Sequence, residues 1–206
     1  MNFADQINNV IRAVHSSGSD HGVQLERVFA TSAADLWEAI TSPERLARWF
    51  EPVKGRLEQG GRYELTDSGT AGTIQRCDEP HALRVTWEMG DDKSTLEVTL
   101  TPEETGTRLT LRHVVPDNDH WGTYGPSAVG IGWDSAFLAL SQHLDQDSAA
   151  VHDEIAAFNA SDDGRVFIDQ AAESWRTAHV ASGADTDRAH QQAVNTAAFY
   201  KGDDAS

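Results

Sequence analysis

The sequence predicts an α+β fold: a curved antiparallel sheet wrapped round one long helix, with a C-terminal helical extension. Three observations carry this. Between Gly61 and Val115 the apolar residues recur with period two, and Gly60-Gly61, Gly69, Gly90 and Gly106 cut the region into short runs. From Pro126 onward the period changes, with Val129, Trp133, Ala136, Phe137, Leu140 and Leu144 at steps of three and four. A sheet with one apolar face needs a cover, and a long amphipathic helix is the element available to supply it.

Taken in order, Ile7, Val10, Ile11 and Val14 have helical spacing and predict an N-terminal helix within residues 1–20, ended by Ser16-Ser17-Gly18-Ser19. Residues 22–30 alternate Val23, Leu25 and Phe29 against Gln24 and Glu26, as a strand does. Thr31 or Ser32 caps a short helix with Asp35 in its first turn and Leu36, Trp37 and Ile40 on its apolar side. Ser42-Pro43-Glu44 opens a second short helix, stopped by Pro52. Strands are expected over 61–66, 72–77, 82–89, 94–101 and 107–115, with a weaker one before Gly60. Leu83, Val85, Trp87 and Met89 share one face; so do Leu96, Val98 and Leu100, and Leu109, Leu111 and His113.

After Gln146 the composition shifts to Ala, Asp and Gln. Three helical pieces follow: Val151, Ile155 and Phe158; Phe167, Ala171, Trp175 and Ala178; Ala189, Ala193, Ala197 and Tyr200. They are too thin in large apolar residues to fold alone, so residues 147–206 are expected to dock on the main domain, residues 22–146, or on a second subunit.

Composition narrows the function classes. Hydrophobic residues at 39%, with six tryptophans, supply a real core. A net charge of −17 repels phosphate backbones and anionic lipid heads, which argues against nucleic-acid and membrane-surface partners. No apolar run approaches a membrane span, and the N-terminus lacks the basic start and apolar core of a leader, so a cytoplasmic location is expected. The single cysteine, Cys77, cannot form an internal disulfide or a cysteine-based zinc site. Hydrolase elbow, phosphate-loop and paired-histidine metal motifs are missing, the histidines lack metal-ligand spacing, and no metal or cofactor is expected. Gly130-x-Gly132 reads as close packing of the long helix on the sheet.

Further landmarks carry a resemblance. Thr41-Ser42-Pro43-Glu44-Arg45-Leu46-Ala47-Arg48-Trp49-Phe50 follows a strand and helix spanning Val23 to Ile40. Gly60-Gly61-Arg62-Tyr63, Arg84-Val85-Thr86-Trp87, the run from Thr107 to His113 and Gly130-Ile131-Gly132-Trp133-Asp134 come after it in order. Together they resemble the SRPBCC (START/Bet v 1-like) superfamily and its AHSA1 branch, proteins like the activator of Hsp90 ATPase homologue 1, over about residues 22–145. The resemblance implies a helix-grip fold with an internal cavity between sheet and long helix. It does not imply one activity, since members bind hydrophobic molecules, cyclise or dehydrate polyketides, or stimulate a chaperone ATPase.

The expected binding residues are Trp49, Phe50, Tyr63, Trp87, His113, Trp121, Trp133 and Phe137, drawn from elements that meet around the cavity in this fold. His113 points toward the cavity by alternation and is the candidate polar anchor or general base. His120 and Trp121 lie in the loop before the long helix and are candidates for a lid. The leading expectation is binding of a small hydrophobic or amphipathic molecule. The alternatives are a cyclase or dehydratase using His113 with Asp117 or Asp119, and a protein-interaction module. The last includes a homodimer formed through Trp175, Phe199 and Tyr200 of the C-terminal helices.

Overall fold

The computed structural model describes residues 3–146 and 151–203, so the expected start of the extension at residue 147 lies outside the described residues. Helix α1 (Phe3–Asn9) leads into strands β1 (Ile11–Ser17) and β2 (Asp20–Phe29). The expected N-terminal helix therefore stops six residues before His15. Ile11 to Ser17 instead forms a hairpin with β2, in register from Ile11 opposite Glu26 to Ser17 opposite Asp20. The spacing of Ile7, Val10, Ile11 and Val14 fits a helix, yet Val14 is buried while Ile11 is 59% exposed. Two features favour the strand: β-branched residues suit a pleated surface, and Gly18, at φ +64°, makes the two-residue turn that helical spacing had marked as a stop.

Helices α2 (Ala33–Thr41) and α3 (Pro43–Trp49) follow; Ser32 caps the first, accepting from the Asp35 backbone N–H at 3.2 Å. The meander comprises β3 (Val53–Gly55), β4 (Arg62–Leu65), β5 (Ala71–Asp78), β6 (Ala82–Met89), β7 (Asp92–Glu103) and β8 (Gly106–Pro116). Among the described residues one antiparallel sheet runs β1-β2-β8-β7-β6-β5-β4-β3. Cross-strand pairs Leu96–His113, Val98–Leu111 and Leu100–Leu109 confirm the face assigned by alternation. Met89 departs from it: at the end of β6 it is 55% exposed.

The segment expected to be a loop before the long helix contains α4 (Asp119–Tyr124). Asn118 starts it by accepting from the Trp121 backbone N–H at 2.8 Å. The long helix α5 (Ser127–Gln146) lays Phe137 and Leu140 against the sheet. Its other side is buried too, with Ile131, Leu138 and Ala139 at most 3% exposed. Helices α6 (Val151–Asn159), α7 (Asp162–Ala181) and α8 (Thr186–Lys201) form the extension, and α7 packs on α5, β1 and α1.

Gly130 explains how α7 comes so close. A Cβ there would lie 2.1 Å from Cε2 of Trp175, so only hydrogen leaves room for the indole. Gly132 approaches the Tyr200 hydroxyl of α8, at 3.4 Å from where its Cβ would be. Gly130 thus makes room for the C-terminal extension, not for the sheet contact expected from sequence, and at Gly132 a Cβ would make only an ordinary contact. Trp175 is fully buried and donates from Nε1 to Asp134 Oδ2 at 2.9 Å. Arg12 of β1 reaches the same carboxylate at 2.6 and 3.1 Å, and Gln6 Nε2 of α1 donates to it at 3.4 Å. One buried carboxylate on α5 therefore ties together the N-terminal segment, the central helix and the extension. With Trp175 withdrawn into the interior, the apolar surface expected on the C-terminal helices reduces to Phe199 and Tyr200, at 55% and 36% exposure.

Candidate functional site

Between the sheet and α5 lies a cavity of about 170 Å³. Six of the expected binding residues line it: Trp49, Phe50, Tyr63, Trp87, Trp133 and Phe137. Its aliphatic remainder, including Leu83, Leu96 and Leu140, was not singled out from sequence, although each sits on a face that periodicity assigns to the core. Two of the polar atoms on its aromatic walls are already used. Trp49 Nε1 donates to the Ala39 carbonyl at 2.9 Å, and the Tyr63 hydroxyl donates to the Thr86 carbonyl at 2.8 Å. Burial raises the Tyr63 pKa, so its phenol stays neutral. The chamber presents carbon to anything that enters.

A second, larger recess of about 530 Å³ adjoins it. His113 and Trp121 line this recess and not the inner cavity, which divides the expected residue set in two. Phe50, Trp87 and Trp133 line both chambers and form the partition between them. Within that partition Trp87 and Trp133 meet edge to face at 5.4 Å and 64°, and Phe50 stacks on Trp133 at 6.2 Å and 18°. Ser94, Glu51 and Asn118 contribute polar groups to the recess. Ser94 shares the parity of Leu96, Val98 and Leu100, so alternation was the signal that could have found it.

His113 is 5% exposed, and both ring nitrogens are engaged. Trp133 Nε1–H donates to Nδ1 at 3.0 Å, which fixes the ring proton on Nε2. Nε2–H then donates to Ser94 Oγ at 2.8 Å, and the Ser94 hydroxyl donates to the Trp87 carbonyl at 3.1 Å. A second ring proton would have to point at the indole N–H. Burial lowers the His113 pKa to about 4, so the ring is neutral at pH 7. The lone pair a general base would use is occupied. Neither partner proposed for acid–base work reaches it: Asp117 pairs with His21 at 3.2 Å, and Asp119 sits in the first turn of α4.

The depressed pKa has a thermodynamic consequence. Between about pH 6.5 and 4 the unfolded chain binds a proton that folded His113 refuses. The histidine's share of stability is therefore complete above pH 6.5 and is lost as pH falls toward 4, amounting to about 3 kcal/mol at the lower limit. His113→Gln should flatten the pH dependence of the urea midpoint across that window. An unchanged slope, or an imidazole resonance of His113 titrating near 6.5, would contradict it.

Trp121, the lid candidate, is a fixed wall. It is 3% exposed, stacks on His21 at 4.3 Å and meets the edge of His179 at 6.1 Å. The last carbonyls of α4 would otherwise be short of donors. Helix α8 supplies them: Gln192 Nε2 donates to the Trp121 and Gly122 carbonyls at 3.1 and 3.0 Å, Asn195 Nδ2 to Thr123 at 3.0 Å, and Thr196 Oγ1 to Tyr124 at 2.8 Å. His120 stays on the surface beside Tyr124.

Arg45, from the Pro43-Glu44-Arg45 run, knits the short helices to α5. It donates to Asp35 Oδ1 at 2.7 Å and to His143 Nε2 at 3.1 Å. Among the described residues no group of three histidine, cysteine or carboxylate side chains is placed to hold a metal, and no helix is long and apolar enough to cross a membrane.

Comparison with known proteins agrees with this architecture. The family described as activator of Hsp90 ATPase homolog 1-like protein matches residues 30–145, more than half the chain. The chain belongs to this AHSA1-like family. Among solved structures, CalU16 from Micromonospora echinospora is 24% identical, with a TM-score of 0.66 over 82% of this chain and 97% of CalU16. Protein MLL2253 from Mesorhizobium loti is 26% identical, with a TM-score of 0.54 over 62% of this chain and 98% of its own. DynU16, a protein in the dynemicin biosynthetic locus, is 20% identical, with a TM-score of 0.56 over 62% of this chain and 48% of its own. No curated protein matches. The CalU16 superposition covers more of the chain than residues 30–145 contain, so the AHSA1-like core shares part of its flanking structure with that neighbour.

Proposed function

We propose that this AHSA1-like protein binds a small hydrophobic or amphipathic molecule between its sheet and α5. The observation that carries the reading is the pair of adjoining chambers separated by three aromatic side chains, Phe50, Trp87 and Trp133. A cavity of about 150 Å³ suffices to take up benzene, so the inner chamber, at about 170 Å³, suits one ring or a short alkyl chain. The recess has the volume of an ordinary small-molecule pocket and suits the larger remainder. A cyclase or dehydratase needs a free base, and His113 has both nitrogens engaged, which favours binding over chemistry. Self-association through α8 would use Val194, Phe199 and Tyr200, and a monomeric mass by light scattering would exclude it.

Thermal unfolding with octanol, lipids, polyphenols and polyketide-like aromatics tests the reading. At least one class should raise the midpoint in a concentration-dependent way. Ala136→Leu, which extends a side chain into the inner chamber, should keep the fold and weaken octanol binding about tenfold, a loss of about 1.4 kcal/mol. Failure of every class to bind, or an unchanged affinity in Ala136→Leu, would overturn it.

A further inference from the structure

We propose that the outer recess selects a ligand whose head is a quaternary or tertiary ammonium. This rests on the two-chamber reading above and adds the chemistry of the head. The deep end of the recess has its hydrogen-bonding groups engaged already. His113 accepts from Trp133 and donates to Ser94, and Ser94 donates to the Trp87 carbonyl. Asn118 Oδ1 is held by the Trp121 backbone N–H, and Ser68 Oγ is engaged with both the backbone and the hydroxyl of Thr70. A hydroxyl, amide or carboxylate head entering the recess would lose its water without gaining an equivalent partner at the deep histidine.

Aromatic surface and negative charge remain. Trp87 and Trp133 stand at 64° to each other and form two sides of a corner, with Phe50, His113 and Trp121 lining the same space. Glu51 and Asp92 line the recess against one lysine, Lys93. Glu51 is half-buried, accepting from the Ser68 backbone N–H at 2.8 Å through one oxygen. Lys93 is turned out to solvent, 67% exposed and 3.7 Å from Glu88. A cation that forms few or no hydrogen bonds, and is therefore weakly hydrated, matches this set. It gains from the π faces and the carboxylate and gives up little to leave water. The net charge of −17 draws such a cation toward the protein before it docks.

Three probes of equal chain length, all below their micellar concentrations, test the inference: octyltrimethylammonium, octanol and octyl sulfate, read by tryptophan fluorescence and calorimetry. The ammonium should bind about tenfold more tightly than octanol, and the sulfate more weakly than either. Glu51→Gln should weaken the ammonium several-fold and leave octanol unchanged. Glu104→Gln, in the turn at the far end of β7, should change neither and so separates a local effect from bulk charge. Octanol binding without an ammonium preference, or equal losses in Glu51→Gln and Glu104→Gln, overturns the inference and leaves the pocket reading standing. If none of the three probes binds, the ammonium inference falls, and the pocket reading is decided by the lipid, polyphenol and polyketide-like ligands.

Discussion

Asp134→Ala is expected to cost about 3–5 kcal/mol, the usual effect of removing one partner from a buried ion pair. The Asp134 side chain is fully buried and that of Arg12 is 5% exposed, so water cannot replace the lost carboxylate. Removing it strands the guanidinium, the Trp175 indole N–H and the Gln6 amide together. The cost therefore exceeds what one hydrogen bond would suggest. Urea unfolding of the full chain measures it. Arg12→Met combined with Asp134→Leu should lose much less than the two single changes added together, because no charge is left buried alone. A loss below about 1 kcal/mol in Asp134→Ala would mean that solvent reaches the pair.

Gly130→Ala should be strongly destabilising although it adds only one methyl group. Glycine inside a helix ordinarily costs about 1 kcal/mol relative to alanine, so an exposed position would gain from the substitution. Here the added carbon would lie 2.1 to 2.6 Å from three atoms of the Trp175 ring, a rigid group packed on every side. Relief requires α7 to move off α5, and the expected loss is about 3 kcal/mol, at the upper end for overpacking. In a Trp175→Ala background the sign should reverse, with alanine at 130 now favoured by helix propensity. Equal effects of Gly130→Ala in both backgrounds would show that the clash is not with Trp175.

Much of this fold was legible because periodicity reports burial directly. Alternation in Ser94–Thr101 and Thr107–Val115 assigned the faces whose residues the register pairs, and the Val129–Leu144 stripe identified the helix that covers them. The failures have a common cause: a pattern that two environments satisfy equally. Val10, Ile11 and Val14 fit one face of a helix turn, and only pairing with β2 decides for a strand. Gly130 reads the same whether it faces a sheet or an indole. Ile131 and Leu138, apolar but off the main stripe, were the readable sign that the back of α5 is covered as well.

The site divides along the same line. Alternation gave the direction of His113, and the resemblance brought the aromatic residues to one region. What the histidine can do depends on Trp133, 20 residues away on another element, and no local pattern encodes that contact. Glu51 carried no signal, since one carboxylate in an acidic chain looks like any other.

Gln192, Asn195 and Thr196 hold the end of α4 from outside the segment that defines the family. The sheet and α5 form the inner chamber, but the wall of the recess is fastened by the last helix. Both chambers are lined from within that segment, but only the recess leans on α8 as well, so substitutions in α8 can reshape it while the interior keeps its form. Two proteins with the same core and unlike C-terminal helices would share a floor and differ in their doorway.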